Sequence, residues 1–259
     1  MIKSRVYLAG LALAMVSAAA QAGVTVTPTL ASDYDFRGVT QTASDPALQV
    51  GVDYAEGPLH VGLWTSNVQF DPNETGFKFF GAKHTEVDFI GDFSGGSDET
   101  FKYNVGFVDY TYPGQSGFDY PEIWGTVSKS WFSGSLHYSW DWAGTGQDLK
   151  AYYVEVNASI PIADSGFGIA AHIGHSWGPY WDDPFYNLGQ GAYEDYSLGV
   201  TKTFGNFNFA LKYVDTNGYF DSFGLDKRPA LGLPNEDVFS GKGKALLTVS
   251  TTLPWAAAK

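Results

Sequence analysis

Residues 23–67 read GVTVTPTLASDYDFRGVTQTASDPALQVGVDYAEGPLHVGLWTSN, and the opening of this stretch alternates strictly. Val24, Val26, Pro28, Leu30, Tyr34 and Phe36 fall on one face of an extended chain. Thr25, Thr27, Thr29, Asp33, Asp35 and Arg37 fall on the other, because side chains alternate across a strand. A sandwich would bury the apolar face against a second sheet. A membrane barrel would turn that face to lipid and keep the polar face in a lumen.

The rest of the chain decides between them. Period-2 runs bounded by turn residues recur at 24–38, 46–55, 58–68, 84–93, 101–112, 119–130, 132–142, 149–160, 167–177, 193–204, 206–215 and 242–254. In the seventh, Leu136, Tyr138, Trp140 and Trp142 oppose Ser135, His137, Ser139 and Asp141. In the eighth, Tyr152, Val154, Val156 and Ala158 oppose Tyr153, Glu155, Asn157 and Ser159. Connections are short after the even-numbered runs. They are long after the third, ninth and eleventh, at Gln69–Lys83, Gly178–Ala192 and Thr216–Gly241. All long loops therefore lie at one end, as in outer-membrane barrels, and the run lengths suit tilted spanning strands of about 9–11 residues. The fold expected is all-β: a transmembrane antiparallel up-and-down β-barrel of 12 strands. Ten or fourteen are the alternatives if bulges shift a boundary. Pro28 inside the first run lacks a ladder donor and belongs near a strand end.

The N-terminus is read separately. Lys3 and Arg5 form a positive region, Val6–Ala20 an apolar run too short to span, and Ala20-Gln21-Ala22 a cleavage signal. Residues 1–22 are thus expected to be a cleaved signal peptide, and 23–259 one barrel domain. The 259-residue chain has no cysteine, which excludes disulfides, thiol catalysis and thiolate metal sites. Its formal charge is −13, more acidic still without Lys3 and Arg5, so nucleic acid is not an expected partner. Sixteen Tyr, nineteen Phe and eight Trp beside only 17% charged residues suit a chain with much of its surface in lipid.

The opening stretch resembles the TorF-family putative porins of Gram-negative bacteria. The residues that carry the resemblance are Ser32, Tyr34, Phe36, Arg37 and Gly38, then Pro46, Ala47 and Gln49, then Gly62, Trp64, Ser66 and Asn67. They cover about 45 residues; beyond them only the strand rhythm agrees. The resemblance implies an exported barrel in the outer membrane more than it implies a chemistry. The chain departs from the usual terminal aromatic by ending Leu253-Pro254-Trp255 followed by Ala-Ala-Ala-Lys259.

Candidate pore residues follow from the polar faces. Asp33, Asp35 and Arg37 form a charge cluster near the loop end, with Gln49 and Asp53 on the returning strand. Opposed charges across a lumen make a transverse field that sorts solutes, and a salt bridge tying the first hairpin together is the plainer alternative. His137, Asp141, Glu155, His172, Lys212 and Lys244 complete the inward polar set. No H-E-x-x-H or G-x-S-x-G spacing supports catalysis or a metal, and no cofactor is expected. The acidic loop residues, Asp182, Asp183, Glu194, Asp195, Asp221, Asp226, Glu236 and Asp237, match no calcium-loop pattern and read as a solvated rim. Tyr180, Trp181, Phe185 and Tyr186 read as an interfacial girdle. The function expected is a porin or small-solute channel with slight cation preference, contacting outer-membrane lipid and small solutes or ions. An outer-membrane enzyme acting on lipid or peptide, and a packed structural or adhesin barrel, are the alternatives; loop 216–241 is long enough to plug the lumen.

Overall fold

The computed structural model describes residues 23–71, 73–74, 80–81, 83–185, 190–219 and 237–255. Residues 1–22, expected to be a signal peptide, the middle of loop 216–241 with Asp221, Asp226 and Glu236, Tyr186 and the Ala-Ala-Ala-Lys tail lie outside them.

Twelve strands close into an antiparallel barrel: β1 (Gly23–Ala31), β4 (Ala47–Glu56), β5 (Leu59–Asn67), β6 (Thr85–Gly96), β7 (Lys102–Thr111), β8 (Tyr120–Lys129), β9 (Phe132–Ser139), β10 (Ala151–Ile162), β11 (Phe167–Trp177), β12 (Tyr193–Phe204), β13 (Phe207–Asn217) and β14 (Lys244–Thr251). Between β1 and β4 sits a miniature hairpin, β2 (Asp35–Phe36) with β3 (Val39–Thr40), that is not part of the wall. Each wall strand pairs with its neighbour in sequence, and β1 closes the ring on β14 through Thr29↔Ser250, Leu30↔Val249 and Ala31↔Thr248. Helix is nearly absent; the longest described piece is α1 (Pro179–Asp182).

The alternation read from the sequence sets the two faces. Leu30 and Leu198 are each 62% exposed on the outside, among a band of Val, Leu, Ile and Phe. Outward aromatics rim both ends. Tyr138, Tyr152 and Trp177 stack in a row near the long loops, while Phe204, Phe207 and Trp255 lie at the opposite end. Trp255 packs its ring against Phe207 and donates its indole N–H to Thr251 Oγ1 at 2.8 Å. Tight turns at Gly57-Pro58, Ser130-Trp131 and Gly205-Asn206 share the end where the chain enters at Gly23. All long connections lie at the other end.

Strand 1 is shorter than the sequence pattern suggests. The wall ends at Ala31, and the chain turns inward instead of running on to Gly38. The Asp33 carboxylate accepts from the hydroxyls of Thr40 (2.5 Å) and Thr42 (2.7 Å), and Thr42 Oγ1 accepts the Tyr34 N–H. Arg37 (φ 53°) and Gly38 (φ 82°) then form the two-residue loop of the hairpin, with Phe36 opposite Val39. Positive φ at both loop positions is the I′ geometry that matches strand twist. Gly38 is required there twice over, since a Cβ would also meet Asp195 Cβ at 2.8 Å on the facing wall.

Candidate functional site: the barrel interior

Segment 32–46 places its hairpin tip inside the barrel. Arg37 there is sandwiched by aromatic faces, with its guanidinium carbon 4.1 Å from the Tyr153 ring centre, 4.8 Å from Phe36 and 4.9 Å from Trp142. One of its terminal nitrogens donates to both oxygens of Glu122, each at 2.8 Å. Glu122 is 1% exposed. So buried a carboxylate needs a paired charge, and Arg37 supplies it.

From Glu122 a chain of alternating acids and bases runs round the wall, one residue per strand. His137 Nδ1 lies 2.9 Å from Glu122, His137 Nε2 3.5 Å from Glu155, Glu155 3.4 Å from His172 Nδ1, and His172 Nε2 2.6 Å from Asp195. Register explains the spacing. His137 faces Tyr153 directly and Glu155 diagonally; Glu155 faces Gly174 directly and His172 diagonally. Diagonal neighbours are within reach of long side chains. Gly174 leaves the room they use, because a Cβ there would meet the Tyr153 hydroxyl and Asp195 Oδ2.

A second chain starts from the other side. His60 bridges Asp53 (3.0 Å) and Asp92 (2.6 Å), Asp92 accepts from the Asn104 amide at 2.6 Å, and Asn104 accepts the Trp124 indole N–H at 2.5 Å. Trp124 pairs directly with His137, so polar groups line the interior from β4 to β12. Lys244 on β14 reaches inward to Asp33 (2.6 Å) and Asp35 (3.0 Å) of the segment, and Lys212 on β13 is the next inward base. Acids thus concentrate on one side of the interior and lysines on the other.

The candidates sort as follows. Gln49, Asp53, His137, Glu155, His172, Lys212 and Lys244 sit on inward positions of wall strands, as their alternation implies. Asp33, Asp35 and Arg37 are inside the barrel but on the inward segment, not on a strand face. Asp141 is a correction. β9 ends at Ser139, and Asp141 staples the following loop by accepting from Thr145 Oγ1 (2.5 Å) and Gly146 N–H (2.9 Å). Trp142, expected on the outer face, turns inward with that loop and is 6% exposed. Tyr180 and Trp181 also leave the expected girdle. They are 8% and 5% exposed, and Trp181 packs on Trp142 at 5.8 Å. Burial, with Asp183 beside it, pushes the Tyr180 phenol up to about 12, so it stays neutral. Asp195 lies inside and not on the rim. Glu86, Asp88, Asp92 and Glu122 were missed, although alternation in EVDFIGDF and YPEIWGTV marks them inward against Val87, Phe89, Ile123 and Val127. Val238 and Ser240, at the described end of loop 216–241, are buried, and Ser240 accepts the Thr40 N–H at 3.0 Å.

The family described as "Bacterial protein of unknown function (Gcw_chp)" matches residues 17–252. The chain belongs to this family. No curated protein matches the sequence. Among solved structures it is similar to the NanC porin, at 8% identity and TM-score 0.50, over 89% of this chain and 98% of that one. It is also similar to OccD3 of Pseudomonas aeruginosa (12% identity, TM-score 0.38, 87% of this chain and 59% of that one). A third is OpdK of Pseudomonas aeruginosa with vanillate (12% identity, TM-score 0.38, 89% of this chain and 66% of that one). At these identities the likeness is one of fold.

Proposed function

We propose that this protein is an outer-membrane channel for small solutes whose lumen is narrowed by segment 32–46. The observation that carries the reading is a closed barrel with an apolar outer band and a charged, hydrogen-bonded interior. A soluble barrel would reverse those faces. Location in the outer membrane, removal of residues 1–22 and contact with lipid belong to the same proposal, as does the narrower assignment to the TorF-type porins, which rests on the opening motif. A slight cation preference follows from the interior charges. Asp33, Asp35, Asp53, Glu86, Asp88, Asp92, Glu122, Glu155 and Asp195 face Arg37, Lys212, Lys244 and three histidines.

A packed barrel is the second reading, favoured by one observation: much of the interior near the loops is out of reach of water, including Tyr110 at 0% and Asp88 at 2% exposure. An enzyme is the weakest, since among the described residues the histidines contact carboxylates, an amide, a phenol and rings, and no serine hydroxyl. The deciding experiment is planar-bilayer recording on the refolded full chain, with reversal potentials in a KCl gradient. Discrete conductance steps with a cation-selective reversal potential are expected. A silent bilayer, from wild type and from variants that release the segment, would establish the packed barrel. Heat-modifiable gel migration and outer-membrane fractionation test the location.

A further inference from the structure

At the loop end, above Arg37, a partly open cavity of about 190 Å³ remains between the inward segment, the loops and the wall. An engineered cavity of about 150 Å³ holds one benzene, so this one admits a single ring with a short substituent. Its walls are ring faces, chiefly Tyr34, Phe36, Tyr120, Trp142, Trp181 and Tyr193. Glu86 also lines it, from an inward position on β6.

Glu86 is 1% exposed. Its Oε1 accepts the Tyr34 hydroxyl at 3.2 Å, and Tyr112 and Asp88 lie beside the same carboxyl, whose Oε2 meets no donor in hydrogen-bond geometry. Asp88, the next inward residue on the same strand, is 2% exposed with Oδ1 unpartnered. Among the described residues neither carboxylate has a basic side chain in salt-bridge range, because Arg37 is taken by Glu122 and Lys244 by Asp33 and Asp35. Two adjacent buried carboxyls that find no counter-charge among the described residues, beneath a ring of aromatic faces, either share a proton or accept a cation. The negative faces of the rings attract a cation, and a buried carboxylate rewards one that brings N–H donors. An anion would meet like charge, and a neutral ring would bring Glu86 no counter-charge.

We propose that this cavity binds a small organic ammonium ion carrying one ring or an apolar body of that size. The inference deepens the channel reading and rests on it for the bound cation's onward passage, while the binding itself rests on the cavity.

The test is isothermal titration of the detergent-refolded full chain with three matched probes: benzylammonium, benzyl alcohol and benzoate. Benzylammonium should bind at least about tenfold more tightly than benzyl alcohol, and benzoate should not bind, since a charge-assisted hydrogen bond is worth about a decade or more in affinity. Glu86→Gln should abolish the preference for the cation, and Asp164→Asn, on an exposed turn, should leave it intact. The wild-type probe series needs no variant to fold. Equal binding of benzylammonium and benzyl alcohol would reduce the site to an apolar pocket and overturn the proposal, as would binding of benzoate with no binding of benzylammonium. Conductance without cation preference in the titration would defeat the site and leave the channel standing. Selective binding in a protein that never conducts would defeat the channel and leave the site.

Discussion

Replacing Arg37 with Met should release the inward segment, and the size of the effect can be worked from the contacts. Removing one partner of a buried ion pair costs roughly 3–5 kcal/mol. Glu122 keeps His137 Nδ1 at 2.9 Å, so the lower end applies. The Met side chain retains part of the packing on Phe36, Trp142 and Tyr153 while losing the cation–ring attraction. About 3 kcal/mol corresponds to roughly a 150-fold shift in the docking equilibrium. The segment keeps other ties, among them Lys244 to Asp33 and Asp35, Tyr34 to Glu86, and the Tyr193 hydroxyl to the Arg37 carbonyl oxygen at 3.2 Å. It should therefore open more often and not fall out. The wall, held by its own ladders, should keep its heat-modifiable migration. In single-channel recordings Arg37→Met should raise open probability by about two decades or bring a silent barrel into the measurable range. Arg37→Met with Glu122→Gln should cost less than the sum of the two single changes, because no orphan charge remains. Unchanged open probability and an unchanged gel-shift temperature in Arg37→Met would refute the claim that this pair holds the segment. A lower gel-shift temperature with the bilayer still silent would favour the packed barrel.

Three further outcomes are expected. Lys244→Met should loosen the same segment from its other end, since Asp33 and Asp35 lose their shared cation, and should compound Arg37→Met in open probability. Gly174→Ala should lower the gel-shift temperature, at a cost of about 1–3 kcal/mol for overpacking, because the new methyl meets Asp195 Oδ2 and the Tyr153 hydroxyl. Single cysteines at Ser116 or Phe185, on the long-loop end, should label in intact cells and one at Ser165 should not; the opposite pattern would invert the barrel's orientation.

The wall was legible in the sequence because its signal is physical and repeated. Every one of twelve strands must put one face outside and the other in, so alternation returns whatever the local residues are. Strand order followed from the tight turns where they occur, since short links force neighbours to pair. The interior was legible only where a residue lay on a wall strand, which is why Gln49, Asp53, Glu155, Lys212 and Lys244 fell where parity put them. The failures share one cause. In Asp35-Phe36-Arg37-Gly38-Val39-Thr40 the alternation of a strand and the alternation of a tight hairpin are identical; the difference lies in the sign of φ at Arg37 and Gly38, to which parity is blind. The same holds for Ser139-Trp140-Asp141-Trp142, where the chain leaves the wall between two tryptophans and sends one outward and one into the lumen. Loops that fold inward obey the interior's demand for ring faces and paired charges, not the strand period. The Arg37–Glu122 contact joins residues 85 positions apart on elements that no turn makes neighbours. Its only trace in the sequence is an arginine at the tip of a hairpin and a glutamate on an inward parity position, two features that become one site when the barrel closes round them.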